Sequence, residues 1–179
     1  MPDQFTSTTL KTRIIAFRFI LLVLLSVTLV FISINAINPN HAQAPDVTFT
    51  TITGKKIALK DLRGKPVIVT FWATDCPACI KEIPHLIDLY TQYHKQGLEI
   101  IAVAMFYDPP NHVVSLTQDR QLPYPVALDL KSEHAQAFGD VQLIPNTFLI
   151  SPGGLLTLQK TGAFDYAEMK THIETLLKG

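Results

Sequence analysis

The chain has 179 residues, of which 47% are hydrophobic, and its 15 lysines and arginines balance 15 aspartates and glutamates. This length fits one domain with a sizeable core. A neutral chain lacks the basic footprint of a nucleic-acid-binding protein, so we expect no nucleic-acid partner. The only cysteines are Cys76 and Cys79.

The N-terminal quarter of the chain divides into three predicted segments. Residues 1–18 are polar and basic and are predicted to lie in the cytoplasm. Residues 19–37 are largely apolar, close to the ~20 residues that span a bilayer, and predict one transmembrane helix that acts as a signal anchor. Residues 38–45 predict a polar linker, and 46–179 predict a single folded domain.

A cleaved signal peptide is the alternative for this N-terminal region. Residues 42–44 read Ala-Gln-Ala, the small-residue pattern of a cleavage site, but the pattern lies well beyond the apolar run and Pro45 follows it. We therefore expect a single-pass protein of the cell inner membrane that faces the periplasm, with a soluble periplasmic protein as the alternative. Both arrangements place the cysteines where disulfides persist.

The centre of the chain predicts a buried strand followed by a helix. Residues 67–73 carry no charge and are rich in β-branched and aromatic side chains, which is typical of a strand buried on both faces. Apolar residues then recur at helical spacing as far as about Gln96, and Gly97 predicts the helix end. Cys76 and Cys79 lie at the junction, one helical turn apart.

This spacing favours a redox pair. Positions i and i+3 on a first helical turn are close enough for the sulfurs to bond. Cys76 would lie at the helix N-terminus, where unpaired N–H groups favour the reactive thiolate, and Pro77 suits the first helical position. Cys79, one turn further along, would be shielded and act as the resolving thiol.

The rest of the domain predicts alternating strands and helices. In chain order these are a strand at 46–53 forming a hairpin with 56–60, a strand at 98–104, a helix at 111–121, a strand at 126–128, a helix at 132–138, a hairpin of strands at 147–151 and 155–160, and a C-terminal helix capped by Asp165.

Two separated motifs together resemble a known family. Phe71-Trp72-Ala73 precedes Cys-Pro-Ala-Cys, with Glu82 and Pro84 after it, and Ile144-Pro145 precedes an apolar strand. The chain resembles the thioredoxin superfamily and, more narrowly, the TlpA/ResA-like membrane-anchored thiol-disulfide oxidoreductases. The resemblance implies a thioredoxin-like α/β fold, in which helices flank a central mixed β-sheet, with an N-terminal β-hairpin extension and a central insertion, preceded by one transmembrane helix.

The resemblance also implies roles for individual residues. Cys76 is the expected nucleophile and Cys79 the resolving thiol of a redox disulfide. Pro145 is expected to be cis, with Ile144 offering backbone groups to a substrate peptide by strand-like pairing. The expected substrate-binding residues are Trp72, Pro77, Ile144 and Pro145.

Glu82 has two interpretations. On spacing alone it is a solvated helix carboxylate, whereas the family pattern makes it a proton acceptor for the Cys79 thiol. Three other residues depart from the family or superfamily pattern. Asp75 replaces tryptophan and should disfavour a thiolate at Cys76. Pro77 is the first of the two residues between the cysteines, whereas most TlpA-like proteins have proline as the second. Thr70 replaces the buried aspartate of thioredoxin.

Alternative functions for the cysteine pair remain at this stage. A disulfide closing so short a loop constrains little of the unfolded chain, and structural zinc needs more ligands than this pair. A copper-binding chaperone of the Sco type would need a partnering histidine. The candidates are His85, His94, His112 and His134. A peroxiredoxin-like thiol peroxidase needs a threonine where Ala73 stands.

We therefore predict a thiol-disulfide oxidoreductase, with reduction as the favoured direction, that needs no cofactor and no metal. Its expected partners are proteins carrying disulfides, a membrane thiol electron donor and the inner membrane. Apocytochrome c or the cysteines of a metalloprotein are the substrates that the resemblance implies.

Overall fold

The computed structural model describes residues 18, 22–24, 26, 28 and 42–178. The chain separates into two compact units, Met1–Pro39 and Asn40–Gly179. In the first unit the described residues are helical, and most of the predicted membrane segment 19–37 lies outside the described residues. Among the residues that are described, no helix is both long enough and apolar enough to cross a membrane. The predicted division into segments at 18, 37 and 45 stays a prediction.

Strands and helices alternate through residues 42–178. The strands are β1 (Thr48–Thr50), β2 (Lys56–Ala58), β3 (Val67–Trp72), β4 (Glu99–Ala104), β5 (Val126–Leu128), β6 (Asn146–Ile150) and β7 (Leu156–Thr161). The α-helices are α1 (Pro77–Tyr93), α2 (Pro110–Asp119), α3 (Glu133–Ala137) and α4 (Tyr166–Lys178).

Five strands form one mixed sheet in the order β5-β4-β3-β6-β7. The pairs β3–β4 and β4–β5 are parallel, and the pairs β3–β6 and β6–β7 are antiparallel. β3 is the middle strand, and all six of its residues are buried. The predicted mixed sheet around a buried central strand is confirmed.

Both faces of the sheet are covered, because side chains of β3 alternate between two apolar clusters. Ile68 and Trp72 pack in a cluster with residues of α1 and α4. Val67, Val69 and Phe71 pack in a second cluster, which contains residues of β1 and the segment around α3. A charge-free strand is the expected sequence for this position, since neither face meets water.

Helix α1 carries the second cysteine on its first turn. Ile83 is buried, and Ile80, Ile87 and Tyr90 pack partly buried against the same cluster, as the helical spacing predicts. The helix includes Pro84 and is followed by a short 3₁₀ turn, His94–Gln96. Gly97 then ends the segment with a φ of 118°, a left-handed conformation that suits glycine.

The N-terminal hairpin is shorter than predicted. The strand expected at 46–53 is limited to Thr48–Thr50, which pairs with β2 in a separate two-stranded sheet. The following residues are diverted, because Thr51 bridges to Ala127 and the Ile52 N–H donates to the carbonyl of Val126 at 2.9 Å. The turn therefore joins the hairpin to the outer strand of the main sheet.

The C-terminal helix has the predicted cap. The Asp165 side chain accepts a hydrogen bond of 2.8 Å from the backbone N–H of Glu168. Met169 and Ile173, one turn apart, are fully buried in the cluster beneath α1. This anchoring places α4 beside α1. Phe164, two residues before α4, donates its backbone N–H to the Glu82 side chain of α1.

Candidate active site

A disulfide joins Cys76 to Cys79 at the end of the central strand. Cys76 is the N-cap of α1 and Pro77 occupies its first turn, as predicted. The two Cα atoms lie 5.3 Å apart. Cys79 is 3% exposed, whereas Cys76 is half-buried and Pro77 is exposed. An incoming sulfur can therefore approach Cys76 and not Cys79.

The helix N-terminus acts directly on the Cys76 sulfur. The backbone N–H of Cys79 donates to Cys76 Sγ over 3.2 Å. In the reduced protein the same donor, together with the positive end of the α1 dipole, would stabilise a thiolate at Cys76. The geometry thus makes Cys76 the more reactive of the two cysteines.

Trp72, expected among the substrate-binding residues, lies in the interior. It is 4% exposed, and its indole Nε1 has no hydrogen-bond partner within residues 42–178. The reason is strand alternation, which turns the ring toward α1. There it lines a small cavity of about 10 Å³, which approaches the space of a single water molecule.

The same cavity brings the second cysteine and the predicted proton acceptor together. Its lining includes Cys79, Glu82, Trp72 and Tyr124. Tyr124 comes from the segment between α2 and β5, and no spacing or motif in the sequence indicates that it would lie here. Cys79 and Glu82 therefore border the same small cavity.

Glu82 is buried, so its interpretation as a solvated helix carboxylate is wrong. It is 3% exposed, and its Oε1 accepts a hydrogen bond of 2.9 Å from the backbone N–H of Phe164. Burial raises the pKa of Glu82 from 4.5 to about 7, although the Phe164 N–H lowers it in part. The carboxyl group is thus poised between its two protonation states near neutral pH.

Pro145 follows a cis peptide bond from Ile144, as predicted. Pro145 immediately precedes β6, in which Asn146 pairs with Phe71 of β3. The proline is therefore at the same edge of the sheet as the disulfide. Ile144 is half-buried, and its backbone N–H and C=O have no hydrogen-bond partner inside the 42–178 region. These two groups are available to pair with an extended peptide.

A buried carboxylate that the sequence did not reveal fixes the loop before Cys76. Asp108 is 4% exposed. One of its oxygens accepts the backbone N–H of Thr74 at 2.7 Å, and the other accepts the Thr74 hydroxyl at 2.6 Å. In the sequence, Asp108 stands before two prolines and reads only as a helix breaker. Charge-assisted pairs of this length are strong, so the loop is held firmly.

Thr70 occupies the position at which thioredoxin has a buried aspartate. Its hydroxyl lies 2.9 Å from that of Thr147 on β6, in a fully buried pair. The two hydroxyls satisfy each other and carry no charge. Of the acidic groups near the disulfide, Glu82 is the one that lines the cavity behind Cys79.

The candidate histidines for a copper site have other contacts. His134 lies 2.9 Å from a carboxylate oxygen of Asp129, and His94 stacks on Tyr90. His85 lies against aromatic rings near α4, and His112 lines a shallow depression with Thr74. In the described part of the chain, no three histidine, cysteine or acidic residues are grouped as a metal site.

A thioredoxin-like sheet, a Cys-x-x-Cys disulfide at a helix N-terminus and an adjacent cis-proline define a thiol-disulfide oxidoreductase. The chain belongs to the AhpC/TSA family, whose model matches residues 41–159. It is 35% identical over 133 residues to the thiol-disulfide oxidoreductase ResA of Geobacillus thermodenitrificans, which covers 74% of this chain and 75% of that protein.

Solved structures agree with this assignment. A putative thioredoxin from Neisseria meningitidis is 30% identical with a TM-score of 0.71, covering 76% of this chain and 90% of that one. A putative thiol:disulfide interchange protein DsbE from Chlorobium tepidum is 27% identical with a TM-score of 0.69, covering 77% and 97%. The predicted thioredoxin-like α/β fold and the enzyme class are confirmed, whereas the predicted membrane helix stays a prediction.

Proposed function

We propose that this thiol-disulfide oxidoreductase works as a reductase of protein disulfides outside the cytoplasm, held at the inner membrane by its N-terminal segment. The proposed direction of electron transfer, from enzyme to substrate, is supported by the acidic residues around the cysteine pair. Asp75 adjoins Cys76, and Glu82 lines the cavity with Cys79. Negative charge near both sulfurs makes thiolates less stable. Because thiolates form in the reduced state, that state is destabilised relative to the disulfide, and the reduced pair becomes a stronger electron donor.

The first step uses the reactivity of Cys76. Its thiolate attacks one sulfur of a substrate disulfide, which breaks the substrate S–S bond, forms a mixed disulfide and releases the other substrate sulfur as a thiolate. The free backbone of Ile144 supports the substrate strand beside Pro145. The cavity position of Trp72 suggests that its ring packs behind Cys79 and does not bind the substrate directly.

The second step uses the buried pocket. Glu82, ionised in part near pH 7, takes the proton of the Cys79 thiol. The Cys79 thiolate then attacks Cys76 Sγ, which forms the internal disulfide and releases the second substrate thiol. The substrate gains two electrons and the enzyme loses two. A membrane thiol carrier returns the enzyme to its reduced form.

The location and partners rest on the resemblance and on the sequence pattern. The basic 1–18 segment and the apolar 19–37 segment support a signal anchor with the domain in the periplasm. Apocytochrome c and metalloprotein thiols are the substrate classes that the resemblance favours. Cleavage after Ala44 would instead release a soluble periplasmic enzyme with the same chemistry.

A trapping experiment tests this function. Cys79→Ser leaves the attacking sulfur and removes the resolving one, so substrates should accumulate as mixed disulfides that reductant releases. Cys76→Ser is the matched control, because it loses the attacking sulfur and should trap nothing. Absence of any covalent protein partner in the Cys79→Ser variant, or equal trapping by both variants, would overturn the proposed mechanism.

A further inference from the structure

The loop of residues 105–109 forms a second wall beside the reactive cysteine. This loop follows β4, whereas Ile144-Pro145 precedes β6, and β4 and β6 lie on opposite sides of β3. The Cys76 loop, which follows β3, is therefore flanked on one side by the cis-proline and on the other by the 105–109 loop. The mechanism proposed above uses only the cis-proline side.

The second wall is held in place by its own hydrogen bonds. Asp108 binds both the backbone and the hydroxyl of Thr74, as described above. The Met105 N–H donates to the Trp72 carbonyl at 3.0 Å, and the Asp108 N–H closes a turn onto the Met105 carbonyl at 3.0 Å. The loop thus has a fixed position against the chain that leads into Cys76.

Two exposed aromatic rings project from this fixed loop. Phe106 is 54% exposed and Tyr107 is 48% exposed, although both are large apolar residues. Their centroids lie 5.3 Å apart with the planes at 81°, an edge-to-face pair. Aromatic side chains so exposed beside a reactive cysteine are available to a substrate.

A free carboxylate stands next to these rings. Asp75 is exposed and has no hydrogen bond or ion pair elsewhere in residues 42–178. Asp75 directly follows Thr74, which Asp108 binds through two hydrogen bonds, and Asp108 directly follows Tyr107, so the Asp75 carboxylate and the Tyr107 ring lie on adjoining loop residues. Burial, then the charges of Asp75 and Asp108, raise the pKa of the Tyr107 phenol. Ring faces beside an unpaired carboxylate attract a cation through both the ring quadrupole and the charge.

We propose that Asp75, Phe106 and Tyr107 form a subsite that binds a lysine or arginine side chain of the substrate next to its reactive cysteine. This inference rests on the proposed function and adds a preference for the sequence around the substrate disulfide. Arginine suits the subsite best, because its planar guanidinium stacks on rings and pairs with a carboxylate.

Peptide disulfides with matched sequences test the subsite. Symmetric disulfide dimers of a short one-cysteine peptide carry arginine, glutamine or glutamate beside the cysteine, and each is reduced by the reduced full-length enzyme. Acid quenching and chromatography give second-order rate constants. The arginine-to-glutamate rate ratio is measured for wild type, Asp75→Asn and the Phe106→Ala/Tyr107→Ala double variant. Comparing this ratio among variants cancels the intrinsic reactivity of each peptide and of Cys76.

Asp61→Asn is the matched control, because it also removes one negative charge. Asp61 lines a depression with Lys65, at the end of β3 opposite Cys76. We expect Asp75→Asn and the double variant each to lower the ratio about fivefold to tenfold, Asp61→Asn to leave it unchanged, and high salt to lower the wild-type ratio. Equal ratios in wild type and Asp75→Asn would overturn the subsite while exchange itself continues. Failure to reduce any peptide would overturn the proposed function, and the subsite with it.

Discussion

Replacing Glu82 by glutamine is expected to stabilise the oxidised protein at alkaline pH and to slow disulfide exchange. Glutamine has nearly the same shape and can still accept the hydrogen bond from the Phe164 N–H through its amide oxygen. It removes the buried ionisable group that lines the cavity with Cys79. One substitution thus allows two effects of the carboxylate to be measured separately: its effect on the free energy of unfolding and its effect on the rate of disulfide exchange.

The magnitude follows from the pKa shift. The pKa of Glu82 rises from 4.5 in the unfolded chain to about 7 in the fold. The folded state therefore binds the proton more tightly, and this contribution to stability is full below pH 4.5 and is lost as pH rises through about 7. At 1.36 kcal/mol per pKa unit, the loss is roughly 3 kcal/mol.

The stability assay is urea unfolding of the oxidised protein between pH 4.5 and 8. We expect the difference in free energy of unfolding, Glu82→Gln minus wild type, to grow by roughly 3 kcal/mol across this range. Glu133→Gln is the control, since the Glu133 side chain is 72% exposed, and it should follow wild type. A parallel pH dependence in Glu82→Gln and wild type would refute the buried titration.

The kinetic assay follows resolution of a mixed disulfide at Cys76. We expect Glu82→Gln to slow release of the substrate thiol about 100-fold at pH 7, the lower end of the range for general-base catalysis, and to lose the ionisation near pH 7 from the rate profile. Initial attack by Cys76 should change much less. An unchanged rate of resolution would show that Cys79 loses its proton by another route.

Three further substitutions affect Cys76 reactivity, the loop before Cys76 and the core. Asp75→Asn should speed alkylation of reduced Cys76 by iodoacetamide at pH 7 severalfold, because the neighbouring negative charge no longer opposes the thiolate; a slower reaction would contradict this. Asp108→Ala leaves the Thr74 N–H and hydroxyl without their acceptor and should lower the free energy of unfolding by about 1–3 kcal/mol, and an unchanged urea midpoint would count against the loop contact. Phe148→Ala empties a site that is 1% exposed and packs on two other phenylalanine rings, so we expect a loss of about 3–5 kcal/mol in the same assay.

Sequence reasoning located the elements whose signals are local. The charge-free run at 67–73 and the following helical spacing indicated β3 and α1 because strand burial and helix faces have their own periods. Cys76, Pro77 and Cys79 could be placed at the helix N-terminus for the same reason. The cis state of Pro145 came from the family resemblance, and no local pattern required it.

Residues whose roles depend on distant contacts could not be placed in this way. Glu82 is buried because Phe164, far along the chain, covers it, and spacing on α1 could not reveal this contact. The turn of Trp72 into the interior follows from which face of β3 meets α1. Asp108 binds Thr74 across two different loops, so neither local sequence showed the pair.

The reduction potential of the Cys76–Cys79 pair, obtained by equilibrating the purified protein with glutathione buffers, decides whether the enzyme reduces or oxidises its partners. The acidic surroundings of the pair predict a reductase, with a potential near that of thioredoxin, about −270 mV. A value near that of DsbA, about −120 mV, would mean that the pair oxidises its partners and would contradict the proposed direction.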